Sequence, residues 1–431
     1  MDPQASDIGQ VLSSFNIPDE LKNKAYSDVY FEQDGNKIYF VDLVMEGGGM
    51  LGLGLVGYTY VLEQCNIRFR KVAGASAGAI NAIGISAAGT PDQQKTPAIA
   101  RMLDEVAFFS FVDGPSNIRT LIQNFNKSGL GHKVFRFTIG AASAVVRLFK
   151  KRGLNPGDAF YQWMENKILK PFNAVTVAQL EQKWVLPEDI ELVYPDRFAF
   201  TKGQEFSDLA VKASCMSIGV EVTFPKHKNL FYRADAAVPV TDFARASMSV
   251  PIFFDPFILK DIPSYQTIMG QLQTEFSHTL MDPAVYGKEA TFVDGGLMSN
   301  FPFDEFHAPV GIIPSMPTFG AKLGFDVDRF DNGSLLKYLT NMVDIAKGNS
   351  DREYRHTHYA DYSQVVKEID TTGIAWLDFD MSPEDKKKLV ENGCKAAVEF
   401  LQSFDWEQYK QLREQQSKVL LSSLTEKGIT S

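Results

Sequence analysis

Val44-Met45-Glu46-Gly47-Gly48-Gly49-Met50 and, further along, Gly74-Ala75-Ser76-Ala77-Gly78 are two glycine-centred turns in one stretch of chain. Each follows an apolar run and precedes a helical pattern. Lys37 to Met45 is continuous enough in apolar residues to be a buried strand, and Ile67 to Ala73 is a second. Between them Leu51, Leu55, Tyr58 and Leu62 recur at helical spacing, with Asn66 as the terminus. Ala77 to Ala88 is small and apolar, a helix suited to close packing on a sheet. The order is strand, helix, strand, helix, which predicts a parallel sheet with right-handed crossovers. Ligand sites of such sheets lie beyond the carboxyl ends of the strands, where both turns fall.

The second turn fits Gly-x-Ser-x-Gly, which sets a serine on a tight strand-to-helix corner between residues without side chains. Ser76 is therefore the candidate nucleophile, with Gly74 and Gly78 as its supports. Gly47, Gly48, Gly49 and the Met50 N–H are candidate donors to a developing oxyanion. The turn lacks the G-x-G-x-x-G spacing and the following acid of a dinucleotide fold, and it has no P-loop lysine. A serine hydroxyl needs a base. The six histidines are His132, His227, His278, His307, His356 and His358. Ser76, Asp294 and either His307 or His356 would give a Ser–Asp–His order. Asp294 is itself a second solution, because Phe292-Val293-Asp294-Gly295-Gly296 reads as a strand ending in a turn at the same sheet edge. His356-Thr357-His358 has no cysteine or carboxylate at a zinc spacing, so no metal is expected.

The chain has 431 residues, 45% of them hydrophobic, which is enough for a large core. A formal net charge of −10 argues against a nucleic-acid polymer as partner. Three scattered cysteines, Cys65, Cys215 and Cys394, read as buried small side chains in a reducing compartment. No basic start with an apolar run marks a signal peptide, and no stretch reaches the ~20 apolar residues of a membrane span. A cytoplasmic protein, at most peripheral on a membrane, is the expectation.

Against the acidic whole stands an island. Residues 114–157 hold eight Arg and Lys and no Asp or Glu. Within it Phe137 to Phe149 is mostly apolar, followed by Lys150, Lys151 and Arg152. It reads equally as an interfacial helix, with Arg147, Lys150, Lys151 and Arg152 as membrane contacts, or as a buried helix with solvated ends. Ser382-Pro383-Glu384-Asp385 is a helix start.

Four ordered motifs resemble the patatin-like phospholipase family. They are Glu46-Gly47-Gly48-Gly49; Gly74-Ala75-Ser76-Ala77-Gly78; Arg245-Ala246-Ser247 through Pro251 and Phe254; and Asp294-Gly295-Gly296 with Asn300 and Pro302. The resemblance covers about residues 40–310. It implies an α/β three-layer sandwich with a mostly parallel central sheet and a Ser–Asp dyad without histidine. Ser76 would be nucleophile and Asp294 base, with Gly47, Gly48 and Gly49 as oxyanion hole and Gly295 and Gly296 as motif support. It implies a phospholipid or neutral lipid substrate, an acyl-serine intermediate and no cofactor. Some bacterial members await an activating protein or nucleotide. The expected organisation is an N-terminal segment 1–36, a catalytic domain 37–404 with a basic, largely helical insertion at about 114–200, and a helical tail 405–431. One departure from the pattern is Met50-Leu51-Gly52, uncharged where the family often carries Arg or Lys.

Substrate would lie against Phe253 and Phe254, with Leu53, Leu55 and Ile80 as candidates for an acyl channel. The alternatives are a soluble carboxylesterase or acyltransferase with the same nucleophile, or a catalytically idle lipid-binding protein. Ala75 beside Ser76, where an acyltransferase of the malonyl-transfer type would carry histidine, disfavours the acyltransferase.

Overall fold

The computed structural model describes residues 8–127, 137–192, 208–276, 286–324 and 359–426. Its strands in chain order begin with β1 (Val29–Gln33), β2 (Asn36–Met45), β3 (Ile67–Ala75), β4 (Gly153–Asn155) and β5 (Glu191–Leu192). They continue with β6 (Asp208–Cys215), β7 (Val220–Phe224), β8 (Ile252–Phe254) and β9 (Phe257–Lys260). The last are β10 (Glu289–Asp294), β11 (Thr318–Leu323) and β12 (Val366–Ile369). Among the described residues, ten of these form one mixed sheet with the central order β12-β11-β2-β3-β6-β10-β9. The run from β12 to β6 is parallel, while β10 and β9 are antiparallel additions at its far side. With helices on its flanks this is the α/β architecture expected, and its parallel core is buried as parallel sheets must be.

One strand escapes the sequence reading. Residues before Lys37 look polar, yet β1 pairs with β2 in a hairpin. Its turn, Asp34 (φ +52°) and Gly35 (φ +76°), has both residues left-handed, the twist a two-residue hairpin needs. An Asp-Gly pair is a turn signal, but the strand ahead of it is too short and mixed to show a period.

The helices Leu53–Gln64 and Ala77–Ala87 follow the two glycine turns directly. A third, Pro383–Ser403, packs on the first with backbone contact. A Cβ on Gly57 would stand 2.0 Å from the Val390 carbonyl oxygen, and one on Gly393 1.9 Å from that of Gly54. Close approach of this kind is what small residues on both helices permit. It fixes the start of the Leu53–Gln64 helix, and so the turn that precedes it.

The C-terminal helix Trp406–Glu426 is held by charges buried in the protein. Asp28 accepts from Trp406 Nε1 (2.7 Å) and from Lys410 Nζ (2.8 Å). Arg413, fully buried, pairs with Asp361 and donates to the carbonyls of Ala308 (2.7 Å) and Pro309 (2.6 Å). His307 Nε2 lies 2.8 Å from the same Asp361 carboxylate. Burial alone would raise the Asp361 pKa, but the hydrogen bond and charge of His307 and the Arg413 guanidinium hold it far below the ordinary carboxylate value.

Breaking a buried pair leaves the other charge uncompensated. Asp361→Asn should therefore cost about 3–5 kcal/mol in urea denaturation at neutral pH. Because the folded pKa is depressed, the wild-type contribution is fully present above the unfolded value of 3.8 and is lost as pH falls through the lower folded value. The gap between wild type and Asp361→Asn should narrow over that acid range; a gap independent of pH would show that the carboxylate charge is not what holds the helix.

Candidate active site

Both edges of β6 are occupied. β7 pairs with residues Val211 to Cys215 along one edge. The other edge is shared: β3 occupies its first half, ending with Ala75 opposite Lys212, and β10 its second half, ending with Asp294 opposite Ala213. The two strands thus meet carboxyl end to carboxyl end. Ser76, the next residue after β3, and Asp294, the last of β10, converge at that joint.

Ser76 is 3% exposed and has φ +49°, ψ −116°, a backbone conformation costly for a residue with a side chain. The flanking glycines are needed for space. A Cβ on Gly78 would lie 2.2 Å from the Met45 carbonyl oxygen, and one on Gly74 2.3 Å from the Gly78 carbonyl carbon. What holds the corner is Ser247, whose Oγ accepts the Ser76 N–H at 2.9 Å.

Two residues on, Ser249 holds the other half. Its carbonyl accepts the Asp294 N–H (2.9 Å), while Ser214 Oγ donates to the Asp294 carbonyl (2.9 Å). The Asp294 side chain, fully buried, takes the Gly296 N–H on Oδ1 at 2.7 Å, which orients the carboxylate. Arg245 braces the Ser247–Ser249 segment from behind. Its guanidinium donates to Ser249 Oγ and to the carbonyls of Pro156 and Asp255 (2.8 Å), and it stacks over Phe254. Burial lowers its pKa to about 10, so it stays cationic at neutral pH.

The triple-glycine turn passes over the serine: a Cβ on Gly47 would stand 3.2 Å from Ser76 Cβ. Asn300 clamps that glycine, its carbonyl accepting the Gly47 N–H (3.0 Å) and its Nδ2 donating to the Gly47 carbonyl (3.2 Å). The Met50 N–H is donated to the Trp376 carbonyl at 2.8 Å. Two of the four donors expected from sequence, Gly47 and Met50, are therefore engaged within the protein. Among the described residues, the N–H groups of Gly48, Gly49 and Ala77 donate to no protein acceptor. Gly49 has φ +54°, and a Cβ there would meet the Trp376 carbonyl oxygen at 2.3 Å.

A largely apolar cavity opens beside Ser76. Met50, Leu53 and Ile80 line it, as do Met248, Val250 and Phe254. Phe108, Phe111, Phe160 and Trp163 reach in from beyond the core motifs, and Leu377 and Phe379 close it from the loop after β12. Leu53, Ile80 and Phe254 were legible in sequence. Leu55 is instead wholly buried in the core, and Phe253 stands behind the wall, stacked on Phe379 with centroids 4.8 Å apart. The four aromatic residues and the Leu377–Phe379 pair carry no local pattern that could have announced them.

Of the histidines, His307 is committed to Asp361 and Arg413, and His227 accepts the Thr223 N–H on Nδ1. His132, His278, His356 and His358 lie outside the described residues. Arg147, expected at a membrane, faces inward: its Nη2 pairs with Asp255 at 3.0 Å and its Nε donates to the Leu154 carbonyl. Lys150, Lys151 and Arg152 are exposed. The three cysteines are free and buried, and burial pushes the Cys65 and Cys394 thiols up to about 12 and Cys215 to about 11. None of the described helices is long and apolar enough to cross a membrane.

A family described as patatin-like phospholipase matches residues 43–307, more than half the chain. The chain is similar to the uncharacterised protein YqhO of Bacillus subtilis (strain 168), 27% identical over 263 residues. That match covers 61% of this chain and 65% of the relative, a little under two thirds of its length. Among solved structures it is similar to VipD from Legionella pneumophila, with 14% identity, a TM-score of 0.40, and coverage of 88% of this chain and 70% of that one. It is also similar to a chain of the heterodimeric ExoU-SpcU complex from the type III secretion system of Pseudomonas aeruginosa. There the identity is 12%, the TM-score 0.31, and the coverage 90% of this chain and 60% of that one.

Ser247→Ala should leave the buried Ser76 N–H without its acceptor and lower stability by about 1–3 kcal/mol. The urea midpoint measures it. An unchanged midpoint would mean that the serine corner does not depend on this bond.

Proposed function

The chain belongs to the patatin-like phospholipase family, and from that premise we propose that it hydrolyses fatty acyl esters of membrane lipids through an acyl-serine on Ser76, with Asp294 as base. The observation that carries this reading is that Ala75, the residue before Ser76, and Asp294 lie opposite neighbouring positions of β6, beside an apolar cavity that Ser76 lines.

Ser76 Oγ attacks the ester carbonyl carbon as its proton passes to the Asp294 carboxylate. The carbonyl oxygen becomes an oxyanion, received by the free N–H groups of Gly48 and Gly49 from one side and of Ala77 from the other. The amino end of the Ala77–Ala87 helix adds a favourable partial charge. Collapse of the tetrahedral adduct breaks the ester C–O bond, and Asp294 returns the proton to the departing alcohol. Water then attacks the acyl-serine, giving its proton to Asp294, and Ser76 leaves protonated with the free fatty acid released. Gly296 keeps the carboxylate aimed throughout, and the acyl chain lies along the apolar wall. No histidine and no metal is needed in this scheme.

The apolar cavity by itself would also suit a protein that only holds lipid. A fluorophosphonate probe separates the two, since only an activated Ser76 is labelled.

Fatty-acid release from mixed phospholipid vesicles is the direct test. Asp294→Asn should lose about 10²–10⁴-fold in kcat, the contribution of a positioned base. Ser76→Ala should lose both turnover and labelling. Gly49→Ala, which turns a donor-bearing glycine into a strained and colliding residue, should lose about 10²–10³-fold, the usual effect of removing one oxyanion donor. Turnover persisting in Ser76→Ala would overturn the mechanism.

A further inference from the structure

The helix Phe137–Lys151 is built the wrong way round for an ordinary surface helix. Ala144 is buried, Leu148 packs against the core, and Arg147 is turned inward onto Asp255. On the opposite side Val145, Val146 and Phe149 are 42%, 53% and 86% exposed. These positions, spaced i, i+1 and i+4, share one face, and that face is where a soluble helix carries polar side chains. Single exposed apolar residues need no explanation, but three adjoining ones do.

At the carboxyl end of the helix Lys150, Lys151 and Arg152 are exposed, Lys151 on the Arg147 side, where burial raises the Asp255 carboxyl pKa and the Lys151 charge helps lower it. Arg152 has φ +65°, a conformation glycine would adopt freely, while its N–H caps the helix on the Leu148 carbonyl at 2.9 Å. The chain carries a net charge of −10, so its overall field repels an anionic surface. The segment 114–157, with eight cations and no carboxylate, is the exception. An apolar face followed at the helix end by exposed cations, on an otherwise acidic protein, selects its partner by charge: an interface that accepts Phe and Val and repays Lys and Arg.

We propose that this face, Val145, Val146 and Phe149 with Lys150, Lys151 and Arg152, docks the protein on the surface of an anionic phospholipid bilayer. Its place in the fold gives the docking a consequence. β4 begins one residue after Arg152 and pairs with β8, with Asn155 opposite Phe254, a residue of the cavity wall. Arg147 binds both Asp255 and the Leu154 carbonyl, so helix, β4 and cavity wall are tied together. Seating the helix in the headgroup region would set the cavity at a fixed height above the acyl esters. The proposal deepens the lipid-hydrolase reading and rests on it for that purpose.

The test is co-sedimentation of the full chain with vesicles of phosphatidylcholine alone and of phosphatidylcholine and phosphatidylglycerol in equal parts. Wild type should bind the anionic vesicles more tightly, and rising salt should weaken that binding. Each cation near such a surface contributes about fivefold, so the triple variant Lys150→Gln, Lys151→Gln, Arg152→Gln should bind on the order of a hundredfold more weakly. Phe149→Ser should weaken binding to the anionic vesicles while leaving its salt dependence in place. Hydrolysis of a water-soluble short-chain ester should be the same in all variants, which shows that they are folded. Equal binding of wild type to both vesicles, binding indifferent to salt, or anionic binding unchanged in both variants would overturn the proposal. A wild type that binds anionic vesicles yet hydrolyses no ester would count against the hydrolase reading and not against the docking face.

Discussion

Two strands that share one edge of a third, meeting carboxyl end to carboxyl end, are the constraint on which the site depends. Were β10 parallel to β6, or displaced to its other edge, Asp294 would be carried away from Ser76. The antiparallel addition of β10 to a parallel sheet is therefore more than an edge detail. It lets a strand far along the chain deliver a carboxylate to the point where β3 delivers a hydroxyl. The hydrogen bonds of β6 set that separation, and a one-residue slip of β10 would turn the Asp294 side chain to the wrong face.

Around this joint the site is held mainly by main-chain groups. Ser247 and Ser249 hold Ser76 and Asp294 through their N–H groups, and Asn300 grips Gly47 from both sides. The strained corner at Ser76 persists because these bonds, together with glycines pressed against carbonyls, leave it no alternative. This economy also explains which N–H groups of the turn remain unengaged among the described residues. Gly47 and Met50 use their N–H groups to hold the turn in place, and the groups between them stay free.

The apolar cavity is built on the same scaffold. The cavity walls are supplied by helices and loops from distant parts of the chain, and the wall bearing Phe254 is paired through β8 and β4 to the cationic helix. Inward placement of Arg147 and exposure of Phe149 are two ends of one arrangement: the arginine ties the helix down, and the phenylalanine is left 86% exposed.

The local structure around the candidate site was written in the sequence. The parallel strands, the serine corner, the glycine turn and the candidate base at Asp294 could all be read because each depends on short-range pattern, on glycine where no Cβ fits, and on apolar runs of strand length. Arg245-Ala246-Ser247 was legible as a motif, but not what it holds, since a serine that accepts an N–H from residue 76 differs in no local way from one that meets water. Likewise, no pattern distinguishes the engaged N–H groups of Gly47 and Met50 from the free ones of Gly48 and Gly49. The inward turn of Arg147, the commitment of His307 to Asp361 and the aromatic lining from Phe108 to Trp163 were set only when remote segments packed. Sequence fixes what each residue can donate, accept or bury; tertiary structure chooses its partner, because that choice rests on contacts between segments whose spacing along the chain carries no record of them.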